Sequence, residues 1–433
     1  MQTESPQERI MRLQKAVNAI LLHDPSDSFK NLIENNQELF KGFRLAYSTN
    51  NLETEFSHSS LSEIEEHCPT LKKYFYGTGI LFYSDELYAE TKSKGRIEIP
   101  IDYSLSLDSN AAERFRVWEN GGSLDKEESR FDGLVRFIKE GKGQGFNFDY
   151  SFFIIENLID SMKPDNHRPF NTIRALKRFD YLEYERESFN IRSPKFSEDL
   201  AESGKRAIEA LHAFHSSKDI KGFLNRRKGL YLILLKAVLL REQKNLDLAK
   251  QLEMLVEYSL DTLGAFAKTE IYFAWKFLKH GRDLTFFDPV SQLGKKSLHR
   301  IKGMAWDLFA VRYQETLASK SNIGDFYVPF FASFDNRFVE LTQACPIRAV
   351  IIDDIDKRVI TIHLDEYDFM IDLSKSITIE LNHRLQDPDE KIKRMAKNPT
   401  EQELDARAAE LEQTLEGIVN KSKHADAASC AGV

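Results

Sequence analysis

Several acidic positions stand out because of what precedes them. From Ile97 to Leu107 every odd residue is apolar, the period of a strand, and the run ends in Asp108-Ser109-Asn110. Pro100 sets the regular part of that strand from Ile101 onward. A continuous apolar run from Phe326, the mark of a strand buried on both faces, ends in Ser333-Phe334-Asp335-Asn336. Asp307 sits mid-face on a helix expected from Ser297 to Thr316, with Gly303 and Ala310 or Val311 one turn to either side. A further acid belongs on a buried helical face. Glu156 has Phe152, Phe153 and Ile159 around it, and Glu270 has Phe266, Ala267, Phe273 and Ala274. Carboxylates are hard oxygen ligands suited to Mg²⁺ or Mn²⁺. Those at the carboxyl ends of parallel strands meet at one crevice of an open sheet. Phosphodiester hydrolysis by two ions about 3.5–4 Å apart is chemistry that needs such a set. Plainer readings stand beside it, with Asp108 as a helix N-cap and Asp335 as the start of a turn.

The order of these features resembles the PIN-like nuclease superfamily. Its first motif is an apolar strand running into Asp-Thr/Ser-Asn, which Leu105-Ser106-Leu107-Asp108-Ser109-Asn110 matches. Ala305-Trp306-Asp307-Leu308 and Ser333-Phe334-Asp335-Asn336 are similar to its later acids, one on a helix and one after a buried strand. The resemblance covers 97–160 and 265–340. It implies a metal-dependent nuclease, a hydrolase acting on RNA before DNA. Asp108, Glu156, Asp307 and Asp335 would hold Mg²⁺ or Mn²⁺, with Ser333 and Asn110 orienting them. The family places its second acid early, which favours Glu156 over Glu270. The chain departs from the pattern in spacing, because Asp108 and Asp335 lie 227 residues apart.

Other chemistry competes. Arg206 and His212, an Arg-x5-His on an expected helix, resemble the motif of HEPN-type ribonucleases, which cleave RNA without a metal. His212 and His215 share a helical face, but no third metal ligand lies near in sequence. A non-catalytic helical interaction protein, its acids structural, is the third reading.

The elements that must position these groups follow from pattern and composition. In 433 residues, Gly and Pro number 32, about 7% against a usual share of roughly 12%, which disfavours an all-β chain. An apolar share of 42% against 30% charged excludes intrinsic disorder for most of the chain. Residues 5 to 46 have helical spacing, and Ser60-Leu61-Ser62-Glu63 and Thr400-Glu401-Gln402-Glu403 are capping boxes. Gly141 to Gly145 is a helix stop and loop without a phosphate-loop signature. Helices are expected from Ala111 to Trp118, from Tyr150 to Asp160, and from Asn171 into Tyr181–Glu187. They continue through 197–316, with breaks near Ser216-Ser217, Gly281 and Asp288-Pro289. Two strands follow, Arg348 to Ile352 and Val359 to Leu364, and Pro329 sets the start of the regular part of the strand before them.

The fold expected is α/β. A PIN-like core with a small, mostly parallel sheet of three to five strands carries a large helical insertion and helical termini. Its parts are a helical segment at 1–70, a nuclease core at 71–346 with the insertion at 161–265, a strand pair at 347–385, and a charged helix with a frayed tail at 386–433.

Charge and localisation complete the expectation. The net charge is −8, yet between Arg192 and Arg300 there are 20 Lys and Arg against 13 Asp and Glu. A positive stretch on an acidic chain suits a nucleic-acid partner, single-stranded RNA first. Arg226, Arg227 and Lys228, on a solvated turn, are the candidate phosphate contacts. A protein inhibitor or a homo-oligomer is a further partner compatible with the chain. The apolar run Leu230–Leu240 is too short for a membrane span, and the first residues are no secretory signal. Cys68, Cys345 and Cys430 form no disulfide framework, so the expected compartment is cytoplasmic. The final Cys430-Ala431-Gly432-Val433 fits a prenylation signal by position only.

Overall fold

The structure, a computed structural model, describes residues 4–95, 97–141, 146–318, 324–356, 358–396 and 399–430. The strands are β1 (Arg44–Thr49), β2 (His58–Ser60), β3 (Leu71–Lys73), β4 (Gly79–Tyr83), β5 (Ile101–Leu107), β6 (Phe146–Asp149), β7 (Phe326–Ala332), β8 (Ile347–Asp353) and β9 (Arg358–His363). The chain forms two compact units. The first is Met1–Ile220 with Ala310–Leu364, and the second is Lys221–Phe309 with Asp365–Val433.

The first unit holds a four-stranded sheet in the order β3-β7-β5-β6. β5 runs parallel to β7, with Ser104 opposite Pro329 and Leu107 opposite Ala332, and parallel to β6 on its other side. β3 closes the far edge antiparallel to β7. This is the small, mostly parallel sheet expected from the two apolar runs. The chain leaves β5 for β6 on one side and returns to β7 on the other, so strand order reverses at β5. A crevice at the carboxyl ends of β5 and β7 is the consequence. Pro329 lies inside β7 rather than before it. β3 pairs only with Phe330, Phe331 and Ala332, so position 329 is an edge on that side and can lack an N–H.

Of the second sheet only β8 and β9 were legible, as the expected strands Arg348 to Ile352 and Val359 to Leu364. The sheet is five-stranded and antiparallel, in the order β2-β4-β1-β8-β9. Residues 1–70 are therefore not a helical segment alone, and the strand pair near the C-terminus is no separate part. Each completes a sheet with the other. The helices Pro6–Leu22 and Phe29–Asn35 cover this sheet through Leu13, Val17, Ile20, Phe29 and Ile33, which pack on Leu45, Tyr47, Leu81 and Ile351. Arg9 locks the first helix to the end of β8, its Nη2 donating to Asp353 Oδ1 at 2.7 Å and its Nε at 3.0 Å. Burial pulls the Asp353 carboxyl up, but Arg9 and the amides of Asp356 and Ile355 outweigh it and hold the group below its usual value.

The second unit is helical. Leu230 to Leu240, the apolar run in the sequence, is the buried stretch of the helix Lys218–Arg241. Among the described residues no helix is long and apolar enough to cross a membrane. Tyr272 and Trp275, on the helix Lys268–His280, pack against Phe369 and donate to Asp365 (2.6 Å) and Asp372 (3.0 Å). The expected insertion 161–265 is thus divided. The helices Arg168–Phe179 and Leu200–Ser216 belong to the first unit, and the rest joins 365–433. The helix from Arg168 ends at Phe179 rather than running on, because Leu182 turns back to bridge Phe196. The terminal helix runs from Glu401 to Cys430 where a frayed end was expected, with Leu404, Leu415 and Val419 buried. Gly143 and Gly145 of the glycine cluster, and Ala431 to Val433 after Cys430, lie outside the described residues.

Candidate active site

Asp108 answers two demands at once. Its N–H donates to Ala332 O at 3.2 Å, extending the β5–β7 ladder by one rung. Its extended backbone makes it the N-cap of the helix Ser109–Glu119, with Oδ1 accepting from the Ala111 N–H. The N-cap reading and the site reading describe the same residue.

The parallel neighbour supplies the second acid. β7 gives way to Ser333, wholly buried, whose N–H donates to Thr70 O at 3.0 Å. The Ser333 hydroxyl donates to Asp335 Oδ1 at 3.2 Å and also acts on Asp108, whose carboxyl it pulls down. One hydroxyl thus acts on both strand-end carboxylates, and its single proton serves one of them at a time. Asp335 Oδ1 further accepts from the Arg337 N–H at 3.0 Å, the local bond typical of an Asp in a turn.

Glu156 brings a third acid, from the end of the helix Ser151–Glu156. The Ser109 hydroxyl, one residue after Asp108, donates to Glu156 Oε2, and Asn157 Nδ2 donates to Ser109 Oγ at 3.0 Å. The residue after Asp108 that bonds a neighbouring acid is Ser109, where Asn110 was expected. Burial pushes the Asp108 carboxyl up to about 7. The Ser333 hydroxyl and the Ala111 amide pull it down, and the charges of Asp335 and Glu156 add to the rise. Asp108 therefore titrates near neutrality, where a carboxyl group can both take and return a proton.

Asp149, at the carboxyl end of β6, went unread in the sequence. It accepts from the Ser151 N–H (2.9 Å) and the Tyr313 hydroxyl (3.1 Å). Its strand, Phe146-Asn147-Phe148-Asp149, is only four residues long, too short for its alternation to register.

Other expected residues belong to the second unit. Asp307 is half-buried on the helix Ser297–Ala318, in the part that belongs to the second unit. Glu270 belongs to the second unit as well, in the first turn of Lys268–His280. The site described in the first unit therefore has three acids, Asp108, Glu156 and Asp335, where four were expected. Arg226, Arg227 and Lys228 lie within the helix Lys218–Arg241, not on a turn. Lys228 is ion-paired with Glu401 (2.8 Å) and Asp405 (2.6 Å), and Arg227 lies over the Trp306 ring at 4.6 Å. Only Arg226 of the three is exposed. Lys228 is the poorest of them as a phosphate ligand, because two carboxylates already neutralise it. In the HEPN-like pair, Arg206 is bound to the buried Glu198 at 2.8 Å and lies 4.1 Å over Tyr181, while His212 is exposed.

As a metal site the three acids fit only in part. Their hard carboxylate oxygens suit Mg²⁺ or Mn²⁺ in kind. Among the described residues, however, no three His, Cys, Asp or Glu side chains are grouped closely enough to hold a metal ion. The carboxylates are turned to serine hydroxyls and backbone amides instead. The donor type fits and the arrangement does not, so no catalytic step is routed through a metal.

Comparison with family models, with curated proteins and with solved structures finds no match for the chain.

Proposed function

We propose that the crevice at the ends of β5 and β7 hydrolyses phosphodiester bonds, in RNA before DNA, in the manner of a PIN-like nuclease. The observation that carries this reading is the crowding of Asp335 and Glu156 on a half-buried Asp108 whose carboxyl is raised to about 7. Purely structural acids are usually found beside cations, whereas a site that works on a cationic or proton-transferring step gathers carboxylates together. Asp108 would take the proton of the attacking water, and Asp335 would share the Ser333 hydroxyl with it and so set its protonation. Glu156 would be held in place by Ser109. Mg²⁺ or Mn²⁺ is the expected ion, and binding it would require these carboxylates to regroup from their present hydroxyl and amide partners.

Calorimetric titration of Mn²⁺ into the native chain, into Asp108→Asn and into Asp335→Asn tests the metal half of the reading. Saturable binding by the native chain, weakened at least about tenfold in either variant, supports it. The absence of heat with native protein at millimolar Mn²⁺ removes the ion from the proposal. Cleavage of RNA that resists a chelator would then move the reading to acid–base hydrolysis by Asp108 without a metal.

A further inference from the structure

We propose that Lys72 and Arg130 form a phosphate-binding subsite beside the acidic crevice, which holds the backbone of a single-stranded RNA next to the phosphodiester addressed by the carboxylates. The proposal rests on the reading of the crevice given above and adds to it the place where the substrate backbone is gripped.

The two cations are tied to the same turn as the acids. Arg130, in the first turn of the helix Glu128–Gly141, donates from Nη1 to Phe334 O at 3.2 Å, and its Nη2 lies 3.5 Å from Ser333 O. The guanidinium therefore rests on the two carbonyls that immediately precede Asp335, with the Phe334 ring beneath it at 5.1 Å. Lys72 stands on β3, opposite Phe331 of β7, and its Nζ donates to Pro69 O at 2.6 Å. Thr70, between them in sequence, donates from Oγ1 to Arg130 O at 3.3 Å and accepts the Ser333 N–H through its carbonyl. One short network thus fixes the cations relative to the Ser333 hydroxyl that bonds Asp335.

Neither cation enters an ion pair among the described residues. The nearby acids are already engaged, Glu65 with Lys73 at 3.2 Å and Glu127 with Arg114. Lys72 and Arg130 also feel each other. Burial first, and the Arg130 charge second, hold the Lys72 ammonium below its ordinary value. Two like charges held together on main-chain carbonyls, with no carboxylate, are stabilised by an anion placed between them. Lys carries three N–H donors and Arg five, so most remain for a ligand. A guanidinium with an ammonium beside it matches the oxygens of a phosphate, by a fork on one side and a point charge on the other. Such an arrangement positions the backbone and reads no base. It also offsets the repulsion that three neighbouring carboxylates impose on an incoming polyanion.

The test is the anisotropy of a labelled oligouridylate, measured at several salt concentrations with chelator present. It compares the native chain, Lys72→Gln/Arg130→Gln and the charge-conserving Lys72→Arg/Arg130→Lys. The neutral double variant should bind at least about tenfold more weakly at 0.1 M salt. Its log-affinity versus log-salt slope should fall by roughly 0.7, for the one phosphate that the variant no longer neutralises. The charge-conserving variant should keep the native slope. An unchanged slope in a folded neutral variant overturns the subsite, and so does an equal weakening in the charge-conserving one, which would mark a purely structural role. Failure of the two readings is distinguishable. A native chain that binds with this slope but does not cleave with Mg²⁺ or Mn²⁺ sinks the nuclease reading and leaves the subsite. A native chain that cleaves while the neutral variant binds as it does sinks the subsite alone.

Discussion

Replacing Asp108 by Asn removes a charge that the fold holds at a cost, so the variant should be more stable than the native chain at neutral and alkaline pH. Asn is as good an N-cap as Asp, so the bond from the Ala111 N–H survives the change. In the folded chain the carboxyl titrates at about 7, against an ordinary value of 3.8. Below about pH 4 it is protonated in both states and contributes nothing. Between about 4 and 7 the unfolded chain ionises while the folded one does not. The folded state then binds more protons, and native stability falls as pH rises. Above about 7 the penalty is fully present and constant. About three pH units correspond to about 4 kcal/mol at about 1.36 kcal/mol per unit. That is an upper figure, because Asp108 is partly exposed and water screens its charge, so about 2 kcal/mol is the expected gain. Denaturant unfolding of native chain and variant from about pH 4.5 to 8.5 measures the difference directly. It should open progressively to near pH 7 and then level. A difference that stays flat across this range, or a native chain more stable than the variant at about pH 8, refutes the reasoning.

Three further outcomes follow from the same geometry. Arg9→Met leaves the buried Asp353 carboxylate without its guanidinium and should cost about 3–5 kcal/mol by denaturant unfolding. Because Asp353 titrates below its usual value, the native chain should lose this advantage as pH falls through the carboxylate range, by the opposite sign to Asp108. Neutralising Arg226 and Lys228 should change the salt dependence of RNA binding by less than the Lys72/Arg130 pair does, since Lys228 is already paired with Glu401 and Asp405. A larger change, read by filter binding, restores them as phosphate contacts. His212→Ala should leave RNA cleavage untouched, and a loss of about a hundredfold or more in a gel-based cleavage assay would return the HEPN-like reading.

What the sequence made legible was set by the length and periodicity of each signal. β5 and β7 are seven-residue strands with clear patterns, and their ends delivered Asp108 and Asp335 with Ser333 beside them. β2 and β3 span three residues each and β6 four, below the length at which alternation speaks. The rest of the antiparallel sheet escaped for a second reason. β1 and β4 are buried along nearly their whole length, so they alternate in nothing, and β8, which joins β1 on its other side, lies more than 250 residues away. Asp307 was singled out by small apolar neighbours on its own helix. That local pattern says nothing about which unit the helix face belongs to. Lys72 and Arg130 were invisible because what distinguishes them is the carbonyls they touch and the carboxylates they lack, and neither is written in their spacing.

The account turns on Asp108, Glu156 and Asp335 acting on a phosphodiester. The most direct measurement is cleavage of a labelled single-stranded RNA by the native chain with Mg²⁺ or Mn²⁺, beside Asp108→Asn, Glu156→Gln and Asp335→Asn shown to be folded. The account predicts cleavage by the native chain and a loss of at least about a hundredfold in each variant. Undiminished cleavage by Asp108→Asn, or no cleavage by the native chain, would contradict it.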